Sequence, residues 1–428
     1  MSDTVSVSFA DAVKVWTRIG LLSFGGPTAQ IALMHRIIVD EKKWLDEKHY
    51  LSALSFCMLL PGPEAMQLAT YAGWRLHGLK GGLAAGLLFV LPGAAVVLAL
   101  SMIYAAFGNV PIIEAIFFGI KAAVLVIVVE ALLRISKRAL KEQEHWVIAG
   151  LSFLGIFFLG LPFPLIVLVA AVYGYVRSSA AAKTVVAWPS VSAGDTAKTV
   201  GIWLAIWIVP LALIAVSFGR DHVLTQLSWF FSKLAVVTFG GAYAVLAYMG
   251  QDVVEHSRWL NAGQMMDGLG LAETTPGPLI LVTEFVGYLA AYAHGTGNAV
   301  VMGLLGAFVA LWATFAPCFL WIFAGAPYIE WMNAQPRLKG ALNAITAAVV
   351  GVILNLAVWF GLHVFFGTVT LTEAWPLRFW LPAVGTLDWR VVVLAAISAV
   401  LLLQRHWGIP AVLGVAAGLA VLMRMLGI

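Results

Sequence analysis

Two short stretches carry residue types able to bind an anion, and each occurs twice. Phe24-Gly25-Gly26-Pro27 recurs as Phe239-Gly240-Gly241, and Pro61-Gly62-Pro63 recurs as Pro276-Gly277-Pro278. In both copies 37 positions separate the phenylalanine from the first proline (61 − 24 and 276 − 239). Glycine and proline break helices, and in a membrane the freed backbone groups are tolerated only where they are buried in protein or line a cavity. A helix beginning at such a break presents unpaired N–H groups and about half a positive charge. Four helix starts, after Gly26, Gly62, Gly241 and Gly277, would together form an anion site made of backbone, which glycine lets an anion approach closely. Pro27, Pro63 and Pro278 stand at or near the first helical position, where a missing N–H matters least, and Ala242 takes that place in the fourth. Ser23, Thr274 and Thr275 add hydroxyl donors. The competing reading is that these glycines and prolines only permit close helix packing.

Charged residues point the same way. Arg18 and Lys233 each lie six residues before a phenylalanine of the repeated motif, about 9 Å along a helix. They flank the breaks symmetrically, or else snorkel to headgroups. Lys121 falls inside the apolar run between Ile112 and Leu133, where a charge is usually functional. Glu114 and Glu130 share that run and either neutralise Lys121 or couple transport. Glu64 and Glu273 sit beside or near a Pro-Gly-Pro and either carry a coupling proton or bond a helix terminus; Gln67 and Tyr243 are weaker polar candidates. No soluble-type catalytic or metal motif is present. The nine histidines form no HExxH, no GxxxxGK[ST] loop exists, and Cys57 and Cys318 have no CxxC partner. No enzyme activity, cofactor, metal or nucleic-acid partner is expected.

The elements that must position these residues are membrane helices. Of the 428 residues 62% are hydrophobic and 11% charged, against about 25% charged in soluble domains. The N-terminal stretch has no basic region leading into an apolar run, so a removable signal peptide is not expected. The apolar runs around the first two breaks, within 9–39 and 50–77, are individually short for a ~30 Å hydrocarbon core. They read as re-entrant hairpins or as discontinuous spans. Full-length spans follow at 81–107 and 110–133, then a tight pair at 146–161 and 164–176. Residues 177–199 are small and polar and read as a linker, and 200–218 is an extra span without a counterpart in the first half.

A shift of 215 lays Phe24–Pro63 on Phe239–Pro278 without a gap, with thirteen of forty positions identical. Arg18 then falls on Lys233 and Ser23 on Thr238. The division expected is a first repeat at 1–177, a linker and connecting span at 178–222, and a second repeat at 223–428. Lys and Arg crowd one set of first-half loops, including Lys42, Arg75, Lys80, Arg134 and Arg177. In the second half the bias moves to the opposite set, at Arg337 and Lys339, although Arg220, Arg258, Arg378 and Arg424 then lie outside. The positive-inside rule then makes the second repeat inverted, with the N-terminus cytoplasmic and the C-terminus periplasmic. The fold class is an all-α polytopic membrane protein of two inverted repeats with broken helices, an arrangement typical of secondary transporters.

The chain resembles the chromate ion transporter family in its long two-domain form. The matching residues are FGGP at 24–27, Trp44, PGP at 61–63 and Leu91-Pro92-Gly93, then FGG at 239–241, Trp259, TPGPL at 275–279 and Ala316-Pro317-Cys318. The resemblance implies efflux of chromate across the bacterial inner membrane and chromate resistance. Ala242 stands where the first copy has Pro27, so the halves are not equivalent. Chromate and sulfate are both tetrahedral dianions, so sulfate is the alternative substrate. A homodimer is an assembly this reading leaves open.

Overall fold

The computed structural model describes residues 7–108, 110–178, 191–239 and 242–428. Gly240 and Gly241 lie outside the described residues. The chain is an all-α polytopic membrane protein. Among the described residues five helical stretches are long and apolar enough to cross a bilayer: 64–107, 111–139, 193–218, 299–333 and 336–365.

Each expected break ends or starts a helix. Helix α1 (Phe9–Leu22) stops at Ser23, and α2 (Gly26–His35) starts from Gly25 and Gly26, whose φ angles of 85° and 76° favour glycine. A π-helical turn (Arg36–Glu41) ends α2, and α3 (Glu47–Cys57) is capped by the Asp46 carboxylate on the His49 N–H, which with the His49 ring lowers the Asp46 pKa. After Pro61-Gly62-Pro63, α4 (Glu64–Phe107) runs on through a bend at His77 and Gly78, joining the last short run to the first full span. Helices α5 (Pro111–Ala139), α6 (Gln143–Phe157) and α7 (Phe163–Arg177) complete the first half. The connecting helix α8 (Ala193–Phe218) starts within the polar segment read as linker.

The second half repeats these elements: α9 (Val223–Val237), α10 (Ala242–Gln251) with a π-helical turn (Asp252–His256), α11 (Ala262–Thr274), α12 (Val282–His294) preceded by a 3-10 turn (Leu279–Leu281), and α13 (Ala299–Gly325). Helices α14 (Ile329–Asn333), α15 (Pro336–Phe365), α16 (Trp389–Ala399) and α17 (Ile409–Met425) follow. Local geometry recurs at the offset of 215. Lys43 and Arg258 are both non-glycine residues with positive φ, 53° and 52°. The Trp44 N–H donates to Ile38 O at 2.8 Å, and the Trp259 N–H to Val253 O at 3.0 Å. One insertion was not legible in the sequence: β1 (Val369–Ala374) and β2 (Leu377–Pro382) form an antiparallel hairpin between α15 and α16. The Arg378 N–H donates to Phe158 O at 2.7 Å, fixing the hairpin to the end of α6.

The packing divides into two compact units, each drawing on both halves of the sequence. One comprises 1–101, 178–242 and 275–339. There α13 packs against α8, α9 and α12, and Trp203 of α8 stacks on Phe319 with centroids 5.7 Å apart. The other comprises 102–177, 243–274 and 340–428, where α5 packs against α11, α16 and α17. Small residues set the closest crossings, as expected where lipid removes the hydrophobic drive between helices. A Cβ on Gly306 would overlap the Gly287 carbonyl oxygen of the facing helix. Gly306→Val is therefore expected to destabilise by about 1–3 kcal/mol; a fall in the melting temperature of the purified protein checks this, and an unchanged value contradicts it.

Candidate functional site

The breaks are bonded to each other across the duplication. Ser23 is buried where α1 ends, and its hydroxyl donates back to Ile19 O at 2.6 Å. Its carbonyl accepts the N–H of Gly277 at 2.8 Å. Thr238 is the counterpart in the second copy: its hydroxyl bonds Leu234 O, and its carbonyl accepts the N–H of Gly62 at 3.0 Å. Each Pro-Gly-Pro is thus pinned to the residue preceding the other copy's Phe-Gly-Gly. Flanking prolines lack N–H, so the glycine N–H is the only backbone donor each tripeptide has. The φ angles of 107° at Gly62 and 91° at Gly277 place these glycines in a region side chains rarely adopt.

The backing of the two tripeptides is also crossed. A Cβ on Gly93 of α4 would overlap the Pro276 carbonyl oxygen, and a Cβ on Gly62 would lie 3.0 Å from Cys318 Sγ of α13. Gly93 and Cys318 are the third residues of the Leu-Pro-Gly and Ala-Pro-Cys triplets. Two glutamines complete the bonding. Gln30 Nε2 donates to Gly277 O at 2.6 Å and Ser23 O at 3.2 Å, and Gln67 Nε2 donates to Pro61 O at 2.7 Å. The side-chain oxygens of both glutamines are buried without a partner.

This network moves the available donors one step along the chain. The Gly62 and Gly277 N–H groups are held by carbonyls, which leaves the donors at the helix starts after them. Among the described residues no hydrogen bond reaches the N–H groups of Gly26 and Thr28 at the start of α2, Ala65 and Met66 at the start of α4, or Leu279 and Ile280 before α12. Pro27, Pro63 and Pro278 hold the chain at these starts without supplying a donor. The Ser23 and Thr274 hydroxyls donate to carbonyls of their own helices, Thr274 to Leu271 O at 2.8 Å, and Thr275 is buried.

The comparisons identify what kind of protein carries this arrangement. A family model described as chromate transporter matches residues 10–175 and 225–422. The chain belongs to the chromate transporter family. The chromate transport protein of Pseudomonas aeruginosa is 33% identical over 355 residues, covering 81% of this chain and 80% of that protein. That of Cupriavidus metallidurans is 31% identical over 360 residues, 81% of each. A cyanobacterial relative from Synechococcus elongatus, named "Probable chromate transport protein", is 29% identical over 401 residues, 92% of this chain and 95% of the relative. No solved structure matches the chain.

The charged candidates of this chromate transporter family member fall in both units, Arg18, Glu64 and Lys233 in one and Glu114, Lys121, Glu130 and Glu273 in the other. Arg18 is exposed on α1 and faces Glu41 at 3.7 Å, and Lys233 is exposed on α9. Glu64 is half-buried at the first position of α4. Glu273 is buried and accepts a hydrogen bond from Tyr243 Oη at 2.8 Å. Glu114 and Glu130 do not neutralise Lys121. Glu114 faces Arg424 at 3.3 Å, Glu130 faces Arg134 at 3.5 Å, and Lys121 pairs instead with Asp267 at 3.4 Å. Sequence reading missed Asp267, Tyr104 and Gln30. Gln30 had a signal, being an amide at a position where the repeat has Val245. Gln30→Leu strips one donor from the Gly277 carbonyl and is expected to cost about 1–3 kcal/mol. Gly277→Ala, strained by its φ as well, is expected to reduce transport more than the glutamine change; equal or higher transport by Gly277→Ala contradicts the crossed-break geometry.

Proposed function

We propose that the protein exports chromate from the cytoplasm across the bacterial inner membrane, conferring chromate resistance, by alternating access. The observation that carries this reading is the crossed pair of breaks, with unpaired N–H groups at three helix starts inside one compact unit. Backbone donors at helix starts suit a tetrahedral oxyanion, with their partial positive charge and no protons to exchange. Residues 25–27, 62–63 and 277–278 shape those starts, and the exposed Arg18 and Lys233 attract the anion toward them. The family membership supports transport, and the names of the relatives support chromate as the substrate. Two inverted repeats, 1–177 and 223–428, would place the N-terminus in the cytoplasm and the C-terminus in the periplasm.

Export of a dianion from an inside-negative cell is favourable by about 4–5 kcal/mol per 100 mV, so ATP is not required. Sulfate is the second reading, favoured by the backbone nature of the donors: it has the same shape and charge, and amides read little else. In everted membrane vesicles, chromate uptake is expected to rise with a lumen-positive potential and to fall when sulfate is added. Arg18→Ala and Lys233→Ala are each expected to slow uptake several-fold. Uptake untouched by both substitutions overturns the role of these cations; sulfate uptake without chromate uptake overturns chromate as substrate.

A further inference from the structure

Lys121 lies inside α5, ten residues from its start, in a stretch apolar enough to span a bilayer. A cation there needs a counter-charge. Asp267 of α11 supplies it from 3.4 Å, with 4% of its side chain exposed against 27% for Lys121. Tyr104 Oη donates to the same carboxylate oxygen, Oδ2, at 2.7 Å. The other oxygen, Oδ1, is buried and has no partner. One oxygen therefore takes both the ion pair and the hydrogen bond, and the second stays unsatisfied. The attraction within a buried ion pair offsets its desolvation only when hydrogen bonds also satisfy the remaining lone pairs.

No other acid is placed to share Lys121 among the described residues of this unit. On α5, Glu114 and Glu130 face Arg424 and Arg134, and Lys137 and Arg138 lie beyond, about 24 Å along the helix. On α16 and α17, which both pack against α5, the ionisable groups are Arg390, held by Asp388, and Arg424. On α11 itself, Glu273 is bonded by Tyr243. The ammonium also lies beside Gly263, where a Cβ would come within 3.1 Å of Nζ.

We propose that Asp267 is a displaceable, protonatable counter-ion. In the anion-free protein its carboxylate holds Lys121. When an oxyanion engages the ammonium, the ion pair opens and Asp267 takes one proton from water, becoming a neutral carboxylic acid. Lys121 stays charged, and the oxyanion replaces the carboxylate beside it, so no buried charge is left alone. One proton is thereby bound with each anion. Anion affinity rises as pH falls, by up to about tenfold per pH unit while that linkage holds. The inference deepens the reading of the protein as an oxyanion carrier and rests on it.

The test is calorimetry of chromate, and separately sulfate, binding to the purified full-length protein at one pH in two buffers of different ionisation enthalpy. The wild type is expected to show a buffer-dependent heat equal to about one proton taken up for each anion that engages Lys121. Asp267→Asn, which keeps an acceptor for Tyr104, is expected to bind the anion with no buffer dependence. Lys121→Gln with Asp267→Asn removes both charges, leaving no orphaned ion to unfold the protein, and is also expected to show none. Buffer-dependent heat persisting in Asp267→Asn, or absent from the wild type while the anion binds, overturns the proposal. Proton-linked binding of sulfate without binding of chromate removes chromate as substrate and leaves this inference standing. Failure of both anions to bind overturns both.

Discussion

A helix broken inside a bilayer strands backbone groups that no solvent can reach, and this protein satisfies them across its own duplication. The Gly277 N–H bonds the Ser23 carbonyl, and the Gly62 N–H bonds the Thr238 carbonyl, at 2.8 and 3.0 Å. Each copy therefore supplies what the other lacks. A single copy would leave an unpaired glycine donor, at several kcal/mol in hydrocarbon. The close backing by Gly93 on one side and Cys318 on the other follows from the same constraint, since the pinned tripeptides leave no room for larger side chains.

The crossing is symmetric in backbone and asymmetric in side chains. Gln30 reinforces one crossing with two hydrogen bonds, whereas its counterpart Val245 has no donor to give. Gln67 braces Pro61, and its counterpart is Val282. The buried pair Lys121 and Asp267 likewise has no charged duplicate at the offset of 215: Lys121 would fall on Pro336, and Asp267 on Ser52. The duplicated backbone sets the frame, and single-copy polar residues distinguish its halves. The chain passes from one compact unit to the other at 242–243 and again at 274–275, beside the second-copy breaks. First-copy breaks at 24–27 and 61–63 stay within one unit.

The sequence made the breaks, the repeat and the membrane class legible because each rests on residue type and spacing alone. Glycine and proline inside apolar runs interrupt helices wherever they occur, and an offset of 215 is visible without a structure. Matching positive φ at Lys43 and Arg258 is the physical counterpart of that offset. Partner choice was not legible. Spacing does not say that a carbonyl from the other copy holds the Gly62 and Gly277 N–H groups. Asp267 is 146 positions from Lys121 (267 − 121), and no periodicity links residues that far apart, whereas Glu114 and Glu130 shared its helix and invited a local pairing. The β-hairpin at 369–382 was hidden by its brevity between long apolar runs.

The claim that oxyanion binding occurs at the crossed breaks is tested most directly by locating the anion. Crystals of the protein grown with chromate, examined by the anomalous scattering of chromium, should show a peak whose bonded oxygens lie within about 2.7–3.2 Å of the amides of Gly26 and Thr28, of Ala65 and Met66, or of Leu279 and Ile280. A chromium peak bound only elsewhere, with those amides capped by protein or lipid, contradicts the account.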